Sequence, residues 1–165
     1  MEELPPLKQE FRILERNVLI LILLPLPFFA LVYLYTTSPT RTVQVPELPG
    51  FLNPFILSLT IILMAFQQIN FQKEIRNIQK TVPEVEEKFR RYAKATIKRY
   101  WLLLVVGFIC AAGLFFYQNA GFTVAYAVTL IIISIAKPSP DRIIRIFHLK
   151  GAERDLIYNI NRIEY

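Results

Sequence analysis

The 165-residue chain is nearly empty of the side chains that carry most chemistry, with one cysteine, Cys110, and one histidine, His148. Four stretches, Val18 to Tyr35, Phe51 to Phe66, Tyr100 to Tyr117 and Phe122 to Ala136, hold no Asp, Glu, Lys, Arg or His. Each absence excludes something. One cysteine forms no intramolecular disulfide. One Cys and one His do not build the usual zinc site, and acidic residues confined to loops leave intramembrane hydrolysis without metal or base. Haem between membrane helices takes histidines at membrane depth, whereas His148 sits in the tail. Proton-coupled transport needs an ionisable group at that depth, so the mechanism of small multidrug exporters does not extend to this chain. There is no phosphate-cradling glycine loop. Ser58 and Ser134 have no base to activate them and read as hydroxyls bonded to helix carbonyls.

What is present is apolar. Hydrophobic residues make up 54% of the chain and charged residues 19%, with a mean hydropathy of +0.39. This composition excludes a water-soluble core enzyme. The four runs contain 18, 16, 18 and 15 residues, and a helix crossing a bilayer takes roughly 17 to 25. The first and third suffice alone, while the second and fourth borrow uncharged flanks. The expected fold is an all-α membrane protein with four transmembrane helices, spans at 18–35, 51–69, 100–117 and 119–136.

Orientation follows from the 19 Lys and Arg residues. Three precede the first span, nine lie from Gln67 to Arg99 and six from Lys137 onward, leaving Arg41 alone on the other side. Basic residues are retained inside, so both termini and the middle segment are expected there. The net charge of +6 then belongs to the inner face, where it favours anionic headgroups. Arg90, Arg91, Lys94, Lys98, Arg99, Arg142 and Arg145 are the candidate contacts for lipid headgroups or a protein partner. Basic residues beside a span are expected for topology alone, so nucleic acid is not an expected partner. An N-terminus with Glu2 and Glu3, followed by a run lacking a small-x-small site, reads as a retained anchor rather than a cleaved signal.

Proline marks the boundaries. Asn53-Pro54 reads as a cap with proline at the first helical position. Pro25 and Pro27 instead fall inside the first span, where they deprive the carbonyls of Leu21 and Leu23 of helical donors. A kink is expected there, with that face turned to protein or trapped water.

Residues 70–99 read as a cytoplasmic helical hairpin extending the second and third spans by about 20 Å. One stripe is Phe66, Ile69, Ile75, Ile78 and Val82, ending at Thr81-Val82-Pro83; the returning stripe is Val85, Phe89, Tyr92 and Thr96. In the tail, 139–165, Ser139 caps a basic amphipathic helix carrying Ile143, Ile144, Ile146, Phe147 and Leu149, with Gly151 as its stop. That helix is expected along the inner interface, with docking on the hairpin as the alternative. A further short helix within Ala152 to Tyr165 is compatible with the pattern. The short link between the third and fourth spans makes them antiparallel neighbours. Gly107, Ala111, Gly121 and Ala125 offer small helix-packing surfaces, within this hairpin or between two copies.

The segments Lys98-Arg99-Tyr100-Trp101, Tyr117-Gln118-Asn119-Ala120-Gly121, Lys137-Pro138-Ser139-Pro140-Asp141-Arg142 and Leu149-Lys150-Gly151-Ala152-Glu153-Arg154 occur in this order across the second half of the chain. In this the chain resembles a group of small uncharacterised four-span inner-membrane proteins of Bacteroidota-type bacteria. The resemblance implies topology and a bacterial origin, and brings no catalytic residues.

The function expected from the residues is that of a non-catalytic accessory or assembly subunit of a larger inner-membrane complex. No enzymatic activity, cofactor or metal is expected. Its partners would be membrane lipids and other integral subunits. The alternative is a small oligomeric channel or transporter for a neutral or lipid-like solute, using the Pro25/Pro27 kink and polar Asn53, Ser58, Thr60, Thr129 and Ser134. A membrane enzyme acting at the outer face through Arg41 or Glu47 ranks third.

Overall fold

A computed structural model describes residues 6–38, 46 and 48–159. Glu2, Glu3, Arg41, Glu47 and the last six residues, 160–165, lie outside the described residues. Helices are the sole regular structure among those described: α1 (Pro6–Leu23), α2 (Pro25–Thr37), α3 (Leu52–Thr81), α4 (Val85–Tyr117), α5 (Ala120–Ala136), α6 (Pro140–Phe147) and α7 (Ala152–Asn159).

The first helix starts well before its apolar run. The segment from Pro6 to Asn17 is rich in Leu, Lys, Gln, Glu and Arg, all strong helix formers, so nothing stops the helix at the charge boundary. Leu24 separates α1 from α2 yet keeps helical dihedrals, and its N–H donates to the Ile20 carbonyl at 3.0 Å. The stretch Leu7–Thr37 therefore behaves as one element of 31 residues, alongside Leu52–Thr81 with 30 and Val85–Tyr117 with 33. These three are long and apolar enough to cross a membrane. A fourth candidate is α5, 17 residues long, which reaches the length of a span when counted with α6, bent from it by 79°. At 1.5 Å per residue the long helices measure roughly 45–50 Å against a hydrocarbon core of about 30 Å, so each carries about 15–20 Å of surplus.

The surplus lies at the charged end, where the helices pack on one another. The buried face of α4 runs Phe89, Tyr92, Thr96, Arg99, Leu103, Val106 and Cys110, and that of α3 runs Thr60, Met64, Gln67, Phe71, Ile75 and Ile78. Steps of three and four residues make this a coiled-coil-like seam. It differs from the stripe expected for α3. Phe66 and Ile69 are about half exposed, and Gln67 occupies the buried position between Met64 and Phe71.

Leu7, Phe11, Leu14 and Val18 of α1 join the same core, so a third helix packs on the hairpin. Exposed ion pairs at this end, Arg90 to Glu10 at 3.1 Å and Lys137 to Glu15 at 4.0 Å, set α1 beside α4 and the end of α5. Such pairs contribute about 1 kcal/mol or less each.

The tail helix turns its apolar face into the protein, docking on the hairpin. Ile143, Phe147 and Leu149 are buried in the charged-end core, and the Phe147 ring meets Tyr92 edge-on at 6.0 Å. The apolar surface it covers is that of α3 and α4, where Phe71, Ile75, Ile78, Phe89 and Tyr92 belong to the same buried cluster. Ser139 caps α6, accepting the Arg142 N–H at 3.3 Å. The stop falls earlier than Gly151: His148 takes the left-handed conformation, φ 52°, and closes the helix. Gly151, φ 58°, makes the following turn into α7.

The other end is tied differently. Asn53 is not a cap, since the residue before α3 is Phe51, with helical dihedrals and no side-chain cap. The Asn53 side chain instead accepts from Asn119 at 3.1 Å. Asn119 is itself the cap of α5, accepting the Gly121 N–H at 2.8 Å.

Candidate functional site

At the charged end of the seam, α3 leaves its apolar run at Phe66 and continues Gln67-Gln68, while α4 enters its run after Arg99. The antiparallel register puts these residues side by side. Arg99 is only 6% exposed. Its Nε donates to Gln67 Oε1 at 2.9 Å and its Nη2 to Gln68 Oε1 at 2.7 Å. Its guanidinium carbon lies 4.7 Å from the centroid of the Phe71 ring, a cation–π arrangement. These partners are neutral. No carboxylate among the described residues pairs with this buried cation.

Beside Arg99 opens a cleft of about 330 Å³ between α3, α4 and α6. Arg76, Arg99 and Arg142 line it together with the amides of Gln68, Gln72 and Gln79. Its apolar wall is Phe71, Ile75 and Ile146, and none of its lining residues is acidic. Two backbone anchors hold α6 against the cleft: Arg142 Nη1 donates to the Ile135 carbonyl, and Gln79 Nε2 donates to that of Ile146. Arg99 lies in the like-charged field of Arg142. Glu74 and Lys98 line a second space next to Arg99 of only about 10 Å³, no larger than one water requires.

The seven basic residues named as candidate headgroup or partner contacts are dispersed. Arg90 is spent on Glu10 and Arg91 on Glu87 at 2.7 Å, one turn away on the same helix. Lys94, Lys98 and Arg145 are exposed, and only Arg99 and Arg142 enter the cleft. Arg76 and the glutamines completing it were not singled out from sequence. The available signal was that Arg99 follows Phe89, Tyr92 and Thr96 on the stripe, and that a Gln pair ends the apolar run of α3.

The small residues serve close packing at several different surfaces. A Cβ on Gly107 would lie 3.0 Å from Pro25, which is buried, and 3.4 Å from Tyr126. Pro25 thus seats α2 on α4, while Pro27 is exposed. Gly121 faces Leu57 of α3 rather than α4. Ala111 and Ala125 are buried in the apolar-end core. The tightest approach falls at Gly113, where an added Cβ would lie 2.4 Å from the Phe122 ring.

The polar groups of the apolar runs do not converge. Thr60 and Thr129 are fully buried and donate to the carbonyls of Ile56, at 2.8 Å, and Ala125, at 2.9 Å. Ser134 donates to Leu130 at 2.9 Å on an exposed face, and Ser58 is exposed. Among the described residues no three His, Cys, Asp or Glu side chains are grouped to hold a metal ion. Cys110 is fully buried. A maleimide reagent is expected to label it only after denaturation, read as a mass increment; prompt labelling in intact micelles would contradict its burial.

These features define a class: among the described residues, an all-helical fold with three or four helices long and apolar enough to cross a membrane, packed around a buried arginine. Comparison with protein-family models, characterised proteins and solved structures finds no match.

Proposed function

We propose that the protein is a non-catalytic accessory or assembly subunit of a larger complex in a bacterial inner membrane. On this reading the charged end and, from the sequence, both termini face the cytoplasm, and α5 forms a fourth span. The retention of basic residues on the inner side supports the orientation, since in sequence all but one of the 19 lie before the first apolar run, between the second and third, or after the fourth. The observation that carries the functional reading is how the membrane-depth polar groups are used. The hydroxyls of Thr60, Thr129 and Ser134 close on carbonyls of their own helices, while the outward faces, among them Leu31, Phe55, Ile61, Ile62, Ile131 and Ile135, are aliphatic and aromatic. Such a surface engages lipid and neighbouring helices, and leaves little with which to transform a substrate.

Extraction of the tagged protein from its native membrane in a mild detergent, followed by quantitative mass spectrometry, tests this. A fixed set of integral membrane proteins should co-elute at constant ratio. Elution of the chain by itself under several mild detergents would overturn the subunit reading.

A further inference from the structure

We infer that the cleft between α3, α4 and α6 is a binding site for a phosphate-bearing anion, held by the guanidinium groups of Arg76, Arg99 and Arg142.

Charge balance is the first argument. A buried cation is costly unless an opposite charge meets it, and truncating the partner of a buried pair ranks among the larger losses proteins show. Arg99 is almost fully buried, and what meets it is two amide oxygens and an aromatic face. Those groups orient the guanidinium without neutralising it. Two more arginines line the same space, none of whose lining residues is acidic; Glu74 lines only the small adjoining space. Arg142 spends one nitrogen on the Ile135 carbonyl, and Arg76 has no ion pair among the described residues. Three like charges converging on one cavity repel one another, and an anion placed between them removes that repulsion.

Shape is the second argument. A guanidinium presents parallel N–H groups that match the oxygens of a phosphate, and the glutamine amides of the lining supply further neutral donors. At about 330 Å³ the cleft far exceeds the roughly 10–15 Å³ that a single water requires, leaving room for a phosphate and its ester arm. The floor of Phe71, Ile75 and Ile146 suits the carbon side of such an ester.

Level is the third argument. Gln67 and Gln68 directly follow the apolar run of α3, Arg99 directly precedes Tyr100-Trp101, and Arg142 reaches back to Ile135 at the end of α5. The cleft thus sits where hydrocarbon gives way to headgroups in the proposed placement. The anion is an anionic phospholipid headgroup or a soluble phosphate ester, which share this chemistry. The level argument rests on the proposed orientation, whereas binding by the isolated chain does not depend on any partner protein.

Native mass spectrometry of the purified full chain supplies the test, with micelles doped either with phosphatidylglycerol or with phosphatidylcholine. Arg76→Gln and Arg142→Gln are the site variants, and Arg145→Gln and Arg91→Gln remove the same charge outside the cleft. Arg99→Lys keeps the charge and loses the fork. Thermal unfolding of each variant separates loss of binding from loss of fold; Arg76, being exposed, carries least risk. The expected result is retention of phosphatidylglycerol over phosphatidylcholine, reduced about tenfold by Arg76→Gln or Arg142→Gln and left within about twofold by the controls. Displacement of the lipid by millimolar glycerol 3-phosphate or inorganic phosphate, or binding of these in phosphatidylcholine micelles, would identify the soluble source. Equal retention of both lipids with no phosphate binding, or equal losses from site and control variants, would overturn the assignment. Failure here leaves co-elution with partners untouched, so the two readings fall separately.

Discussion

Gln67→Leu is expected to lower the unfolding free energy by about 1.5–3 kcal/mol, the usual worth of a hydrogen bond to a charged group. Gln67 is 1% exposed, and its side-chain oxygen accepts from Arg99 at 2.9 Å. Leucine fills similar space but offers no acceptor, so the Arg99 charge keeps only Gln68 and the Phe71 face. Removing the charge as well should recover much of the loss, because an apolar pair carries no desolvation cost. The chain with both Gln67→Leu and Arg99→Met is therefore expected to be more stable than Gln67→Leu alone. Unfolding in mixed micelles with rising SDS, followed by circular dichroism, gives both numbers. An unchanged midpoint for Gln67→Leu would mean that water, not the glutamine, satisfies Arg99.

The second large effect is expected at Gly113. Alanine there places a Cβ 2.4–2.6 Å from three atoms of the Phe122 ring, closer than carbon atoms approach. The ring is fully buried and lies against Tyr117, and the two-residue link between α4 and α5 keeps the backbone from sliding away. Overpacking of this kind costs typically about 1–3 kcal/mol. Phe122→Leu, added to Gly113→Ala, should restore part of that loss, a non-additivity that identifies the contact itself as its source. Gly50 supplies the control. Nothing lies within 4 Å of a Cβ built there, and Gly50→Ala is expected to leave the midpoint unchanged. Equal effects at Gly113 and Gly50 would refute the packing argument.

Much of the helical architecture was legible because uncharged runs and helix formers report directly on local conformation. The ends of α3 at Thr81 and of α4 at Tyr117 fall where Val82-Pro83 and Gln118-Asn119 interrupt the pattern. Less legible were features that depend on what an amphipathic face touches. The apolar side of α6 is equally suited to lipid and to a protein groove, and only the proximity of α3 and α4 makes it the latter. Arg99 was assigned to the surface by its charge, although it continues the stripe of Phe89, Tyr92 and Thr96 by a step of three. Its burial needed Gln67 and Gln68 from a helix more than thirty residues away, a coincidence that no periodicity within one helix displays. Arg76 was missed for the same reason. Its side chain lines the cleft together with Arg142 and Ile146 of α6, with which it shares no local pattern.

The brevity of α5 bears on the surrounding bilayer. Its 17 residues rise about 26 Å, short of the roughly 30 Å of an average hydrocarbon layer, and the 79° bend into α6 prevents the helix from lengthening. With α5 in the membrane, adjoining acyl chains must compress or disorder to match it, at a fraction of a kcal/mol per Å. The lipid annulus would then be thinned along one flank, favouring thin bilayers and neighbours that are themselves short.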